Sequence, residues 1–151
     1  MLAQATALLA GRHSEVPAGF LDRLYERAVA EDLLRYTAED LAHFAAESFR
    51  FLSDRKAGTA KIRFETAKLQ NGGAIGLIDI ANDDMPFLVD SILAELTERG
   101  FHPQLVVHPV FGIERDSAGK VVKLSDEAGA AARRESFIQI HMVSVDDEWM
   151  R

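Results

Sequence analysis

The sequence predicts an α+β fold, a mainly antiparallel sheet with a helix packed on one face, preceded by an N-terminal helical hairpin. Three observations carry this. Apolar residues recur at helical spacing up to about residue 58, polar and apolar residues alternate from residue 60 onward, and one further helical stripe interrupts the alternation. The 151 residues divide into a helical segment over residues 1–58 and an α/β domain over residues 59–151.

Residues 17–36 carry Phe20, Leu21, Leu24, Tyr25, Ala28 and Val29 on one helical stripe. Thr37 is placed to cap a second helix, with Glu39 and Asp40 in its first turn, where the helix dipole favours acids. Leu41, Phe44, Ala45, Phe49 and Leu52 follow at helical spacing, and Gly58 is expected to close that helix. Lys61 to Thr66 alternates with Ile62 and Phe64 on one face, Asn71-Gly72-Gly73 is a turn signal, and Ala74 to Ala81 returns as the paired strand. At the corner that follows, Asp84 is expected to cap a helix and Pro86 to sit in its first turn. Met85, Leu88, Val89, Ile92 and Leu96 form the expected buried stripe, with Gly100 as C-cap and Phe101 folding back. Leu105, Val107, Phe111 and Ile113 alternate along one long strand, Asp116 to Gly119 turns it, and Val121 to Leu124 returns. Residues 125–134 read as a helical turn or a loop, and Phe137 to Val145 is the last strand.

A net charge of −7 and the lack of a basic run argue against nucleic acid as a partner. The absence of cysteine removes thiolate nucleophiles, disulfides and zinc-thiolate sites. The opening residues, MLAQATALLAG, lack a basic stretch ahead of their apolar ones, so no secretion signal is expected. No apolar run reaches the length of a membrane span, and the expected location is the cytoplasm. The ending Glu148-Trp149-Met150-Arg151, without cap or polar tail, reads as a chain that continues.

Gly72, Gly73 and Gly76 precede a strand, whereas a dinucleotide loop opens a helix, so they read as a turn. Asp83, Asp84 and Asp90 have the chemistry of acid–base or magnesium groups but are expected to serve structure. Strand alternation sets Asp79, His108 and His141 opposite apolar neighbours, so they are expected to form a polar row on the outer face of the sheet. Two histidines and a carboxylate are a metal-binding set. The more frequent role of such a row is a hydrogen-bonded patch beneath another element.

The run Asn82-Asp83-Asp84-Met85-Pro86-Phe87-Leu88-Val89-Asp90-Ser91 is joined downstream by His108-Pro109-Val110, Arg115-Asp116, Gly119 and Glu135-Ser136. Over most of residues 60–145 it resembles the N-terminal region of the large bacterial NAD-specific glutamate dehydrogenases. The resemblance implies an ACT-like, ferredoxin-like domain of the kind that binds small effectors or mediates assembly. It implies no catalytic, cofactor or metal residue here, since the family's catalytic lysine and its NAD-binding fold lie far downstream. It singles out the corner Asn82, Asp83, Asp84, Met85, Pro86 and Phe87 as the effector or interface position. ACT domains that bind amino acids usually have glycine after the corner proline. Phe87 stands there instead, so amino acids are expected to bind weakly or not at all. The implied partners are the remaining domains of a parent chain and further copies of it. A free-standing amino-acid sensor and a small metal-dependent enzyme built on the polar row are the alternatives. In such a sheet, Lys61 to Thr66 is expected to be an edge strand beside Ala74 to Ala81.

Overall fold

Reciprocal capping starts the longest helix. In the computed structural model, which describes residues 1–56, 58–125 and 133–143, α4 runs Ala38–Leu52. Asp40 N donates to Thr37 Oγ1 (3.1 Å) and Thr37 N donates to the Asp40 carboxylate (3.0 Å), which satisfies two amides that a helix start leaves unpaired. The second Asp40 oxygen accepts from Gln70 N (3.0 Å), which ties this cap to the first hairpin of the sheet.

The expected N-terminal helical segment is present, with four helices among the described residues in place of a hairpin of two. Ahead of α4 lie α1 (Leu2–Arg12), α2 (Phe20–Tyr25) and α3 (Ala30–Leu33). The stripe over 17–36 breaks because Phe20, Leu21, Leu24 and Tyr25 are all buried within one short helix. The chain then turns through an extended Val29 to bring Leu33 and Tyr36 back inside. α1 packs along α4 and buries Ala5 and Leu9. α4 ends at Leu52, so Gly58 (φ 81°) belongs to the following linker and not to the helix end.

Among the described residues the sheet has six strands: β1 (Lys61–Lys68), β2 (Ala74–Asp83), β3 (Pro103–Val107), β4 (Val110–Arg115), β5 (Val121–Ser125) and β6 (Arg133–Val143). All pairs are antiparallel, in the order β1-β2-β6-β4-β5, with β3 also on β6. β1 is the edge strand beside β2, with Ile62 opposite Ile80 and Phe64 opposite Ile78. Their turn closes through Gly72 (φ 90°) and the Asn71 side chain, which accepts from Gly73 N at 2.8 Å.

The single strand expected over 104–114 is interrupted. Val107 pairs with Gln139 and Val110 with Ser136, so β3 and β4 keep one register along the same edge of β6. Pro109 between them has no amide to donate, although its carbonyl accepts from Phe137 N at 3.1 Å. The last strand begins at Arg133, earlier than expected. Ser144 and Val145, and residues 126–132 of the alanine-rich segment, lie outside the described residues.

The two faces of the sheet are covered unequally. Leu77, Ala81, Leu105, Val107, Phe111, Ile113 and Phe137 share one core with the N-terminal helices. Ile78, Ile80, Ile138, Ile140 and Met142 face the other way, under α5 (Leu88–Glu98) alone. Gly100 (φ 83°) ends α5, and Phe101 N bonds back to Leu96 O (2.9 Å), as the cap signal implies. The expected buried stripe is only half-buried, and Met85 is exposed, because one helix without flanking neighbours cannot enclose its own apolar side. This α+β architecture is that of an ACT-like, ferredoxin-like domain with N-terminal helices added.

Candidate functional site

Alternation on β2 and β6 puts Asp79, Gln139 and His141 on the face beneath the N-terminal helices. The outer-face row expected across Asp79, His108 and His141 is therefore corrected. Asp79 and His141 are fully buried on the covered face, and His108 lies elsewhere.

The two buried groups are joined through Gln139, which alternation sets between them on the same face. Gln139 Nε2 donates to Asp79 Oδ1 (2.8 Å) and to Ser48 Oγ (3.1 Å). Gln139 Oε1 lies 2.8 Å from His141 Nε2, so that nitrogen carries the proton. His141 Nδ1 is then an acceptor, and the Tyr36 hydroxyl donates to it at 2.8 Å. At the far end Arg63 Nε and Nη2 donate to Asp79 Oδ2 at 3.0 and 2.7 Å. Donation thus runs one way, from Tyr36 through His141 and Gln139 to Asp79, where Arg63 meets it.

Burial sets the protonation states. It pushes His141 down to about 3, so the ring is neutral at physiological pH. It pushes Tyr36 up to about 12, which keeps the donor hydroxyl protonated. Burial also raises Asp79 above the usual carboxylate range, against the lowering effect of the Gln139 and Arg63 hydrogen bonds. Tyr36 and Phe44 rings lie 5.3 and 5.1 Å from the His141 ring. A base so enclosed has no route to a substrate, so the chain of bonds anchors the helices to the sheet. Among the described residues no group of histidines and carboxylates has metal-site geometry.

Tyr25 adjoins this region. Its hydroxyl is buried and has no hydrogen-bond partner among the described residues, and burial raises its pKa far above the ordinary tyrosine value. Tyr25→Phe is therefore expected to stabilise the fold by about 1 kcal/mol, since it removes an unsatisfied buried dipole without changing shape. Urea unfolding checks this, and a loss of similar size would show that the hydroxyl is bonded.

The corner after β2 holds a second set of polar groups. Ser136 Oγ donates to Asp84 Oδ1 (2.7 Å), and His108 Nε2 lies 3.3 Å from that serine oxygen. Asp84 N donates to Arg134 O (3.0 Å), and Arg134 Nη2 is 3.6 Å from the Asp84 carboxylate. A serine, a histidine and an aspartate thus meet, but in the wrong order for nucleophilic catalysis. The serine proton goes to the carboxylate, and the fully buried hydroxyl can only accept from the histidine. Burial also holds His108 below the usual imidazole range. Asp83 accepts from Arg55 Nη2 at 3.0 Å, and Asn82 Nδ2 contacts Met85 Sδ at 3.4 Å.

Asp84 does not cap α5, because its carboxylate is committed to Ser136 and Arg134; among the described residues no side chain caps that helix. Phe87 occupies the cap position with φ 63° and ψ 8°, the one non-glycine at positive φ among the described residues. Its ring does not fill the corner. It is 76% exposed, and Met85 beside it is 49% exposed. Asp90 is exposed in the first turn of α5, where the dipole favours it. Between α5 and β1, an open apolar groove of about 300 Å³ is floored by Ile78 and Ile80 and walled by Ile62, Phe64, Ile92 and Leu96. The face under α5 thus offers an apolar groove and an exposed apolar corner.

Residues 20–150 match the family model described as the glutamate dehydrogenase ACT1 domain. The NAD-specific glutamate dehydrogenase of Halomonas elongata is 27% identical over 128 residues. That stretch is 82% of this chain and 8% of the relative, so the chain spans a small part of that protein's length. No solved structure matches the chain. With the family model covering well over half of its residues, and with an ACT-like sheet carrying the matched strands, the chain belongs to the glutamate dehydrogenase ACT1 domain family.

Proposed function

We propose that this chain is the regulatory and assembly domain of an NAD-dependent glutamate dehydrogenase. In that reading the parent enzyme oxidises L-glutamate to 2-oxoglutarate and ammonia in the cytoplasm, with NAD held by other domains. Its partners are those domains and further copies of the parent chain. The observation that carries the assembly role is the exposed apolar set Ile62, Phe64, Met85 and Phe87 on the thinly covered face. Support for the enzyme class comes from the name of the Halomonas relative. Among the described residues no helix is long and apolar enough to cross a membrane.

Phe87 separates this role from amino-acid sensing. Its left-handed backbone is strained by about 1–2 kcal/mol for a residue with a Cβ, and its ring gains little burial in return. Strain kept at an exposed apolar residue fits a ring that is covered on docking. Phe87→Gly is expected to raise the unfolding free energy by about 1 kcal/mol in urea titration. In the parent enzyme the same substitution is expected to weaken assembly in light scattering. Unchanged assembly, or tight binding of an amino acid to the wild-type corner in calorimetry, would count for the sensing role instead.

A further inference from the structure

The turn between β1 and β2 sets an amide side chain against its own backbone. Asn71, Gly72 and Gly73 are all exposed. Asn71 Oδ1 accepts from Gly73 N at 2.8 Å, so a backbone amide already polarises the side-chain carbonyl. The residue after Asn71 is glycine, with φ 90°, and among the described residues nothing stands within 4 Å of where its Cβ would be. Gly72 N is therefore open to close approach. It donates to Leu69 O at 3.0 Å, a bond that has to be released before the nitrogen can react. An exposed turn opens locally while the sheet stays folded, so the release is a small step.

The other asparagine of the chain serves as an internal comparison. Asn82 is half-buried within β2 and paired with Ser136 across the ladder. The residue after it is Asp83, whose side chain crowds the amide that would have to attack.

We propose that Asn71 is a site of spontaneous covalent modification, in which its side chain cyclises onto the Gly72 amide and the turn is converted to aspartate and β-linked aspartate. The Gly72 amide gives its proton to hydroxide, and its nitrogen bonds to Asn71 Cγ, a neighbour held in reach by the chain itself. The negative charge that forms on Oδ1 faces the Gly73 N–H. The Cγ–Nδ2 bond then breaks, and Nδ2 leaves as ammonia with a proton taken from water. The product is a cyclic imide, which water opens at either carbonyl. Attack at Cγ breaks the Cγ–N bond and restores the ordinary chain with aspartate at 71. Attack at the main-chain carbonyl leaves the chain running through Cβ and Cγ. Water enters, ammonia leaves, and nothing is oxidised or reduced.

The β-linked product changes the turn. It lengthens the backbone by an atom and takes the side-chain oxygen away from Gly73. It also sets a carboxylate beside Gln70, whose amide donates to Asp40 at 3.0 Å. Asp40 caps α4 with its other oxygen, so the turn and the start of that helix loosen together.

The test holds the intact chain at mildly alkaline pH for days and then cuts it with trypsin. Cleavage after Lys68 and Arg99 leaves both asparagines in one peptide. Fragmentation is expected to show acid at position 71 forming at least tenfold faster than at 82, with β-linked and ordinary aspartate both present. Asn71→Gln, which would need a larger ring, is expected to keep its amide over the same period. Acid at 71 forming no faster than at 82 overturns the proposal. Ordinary aspartate alone also overturns it, since direct hydrolysis gives no β-linked product. The β-linked fraction is expected to unfold at lower urea than Asn71→Asp, which carries the charge without the longer backbone. Equal midpoints overturn the coupling to the α4 cap.

Discussion

Glu135→Gln is expected to lower the unfolding free energy by roughly 3–5 kcal/mol, the range for removing one partner of a buried ion cluster. The side chain is 3% exposed and receives two guanidinium groups. Arg55 Nη1 donates to it at 2.6 Å, and Arg115 Nε and Nη2 donate at 2.9 and 3.0 Å. Arg55 also reaches Thr59 O and Asp83, and Arg115 reaches Leu52 O and Gly119 O. The cluster therefore ties the end of α4, the linker after it, the β4–β5 turn and β6 at one point. Gly119 is part of the same junction. Its φ is 89°, and a Cβ there would stand 2.7 Å from the Arg55 carbonyl. Glutamine keeps the shape but leaves two nearly buried cations with Asp83 as their remaining carboxylate. Urea unfolding measures the loss. Replacing Arg55, Glu135 and Arg115 together by apolar residues is expected to cost less than the single change, because no charge is then stranded. A single variant within about 1 kcal/mol of wild type would refute this account.

Acid is expected to destabilise the fold steeply below about pH 6.5, through His141. Folded, the ring titrates near 3; unfolded, it titrates in the ordinary imidazole range. Between those values the unfolded chain binds a proton that the folded chain refuses. Stability therefore rises with pH across the window and is fully present above it. The shift corresponds to an upper bound of roughly 4–5 kcal/mol at 1.36 kcal/mol per pH unit. Asp79 works in the opposite direction. Its raised pKa makes the folded state hold a proton more readily, a contribution present at low pH and lost as pH rises, so it reduces the net slope. The test is the urea midpoint from pH 7 to 4.5 in wild type and in His141→Phe. The variant should be weaker at neutral pH, with Tyr36 and Gln139 deprived of a partner, and its slope should be much flatter. Equal slopes, or a His141 resonance titrating near pH 6.5, would remove this residue from the explanation.

Much of the fold follows from short-range pattern. Thr37 and Asp40 are three residues apart, and their cap needs nothing else. Asn71-Gly72-Gly73 between two alternating runs is enough for the β1–β2 hairpin, and Gly100 with Phe101 is enough to end α5. These features depend on backbone chemistry within a few residues, so they are legible in the sequence. The stripe from residue 17 to 36 reads as one helix because periodicity reports which side chains share a face. It does not report where the chain must turn to keep Tyr36 and Tyr25 inside the same core.

The site shows the same division more sharply. Alternation alone places Asp79 and His141 together against apolar neighbours, and that is a property of strand geometry. It does not determine which face of the sheet is covered. The row expected outside is inside because α2 and α4 pack over Leu77 and Phe137, and not over Ile78 and Ile138. Nor does it supply Tyr36, Ser48 and Arg63, which arrive from other elements. Arg55 and Glu135 are 80 positions apart, and nothing in either neighbourhood marks them as partners. Most strands, the caps at Thr37 and Gly100 and the family are written in local spacing and motif, and residue order alone is enough to read them. The covered face, the buried ion cluster and the strained, exposed Phe87 are set by packing, because burial and pairing depend on distant segments meeting.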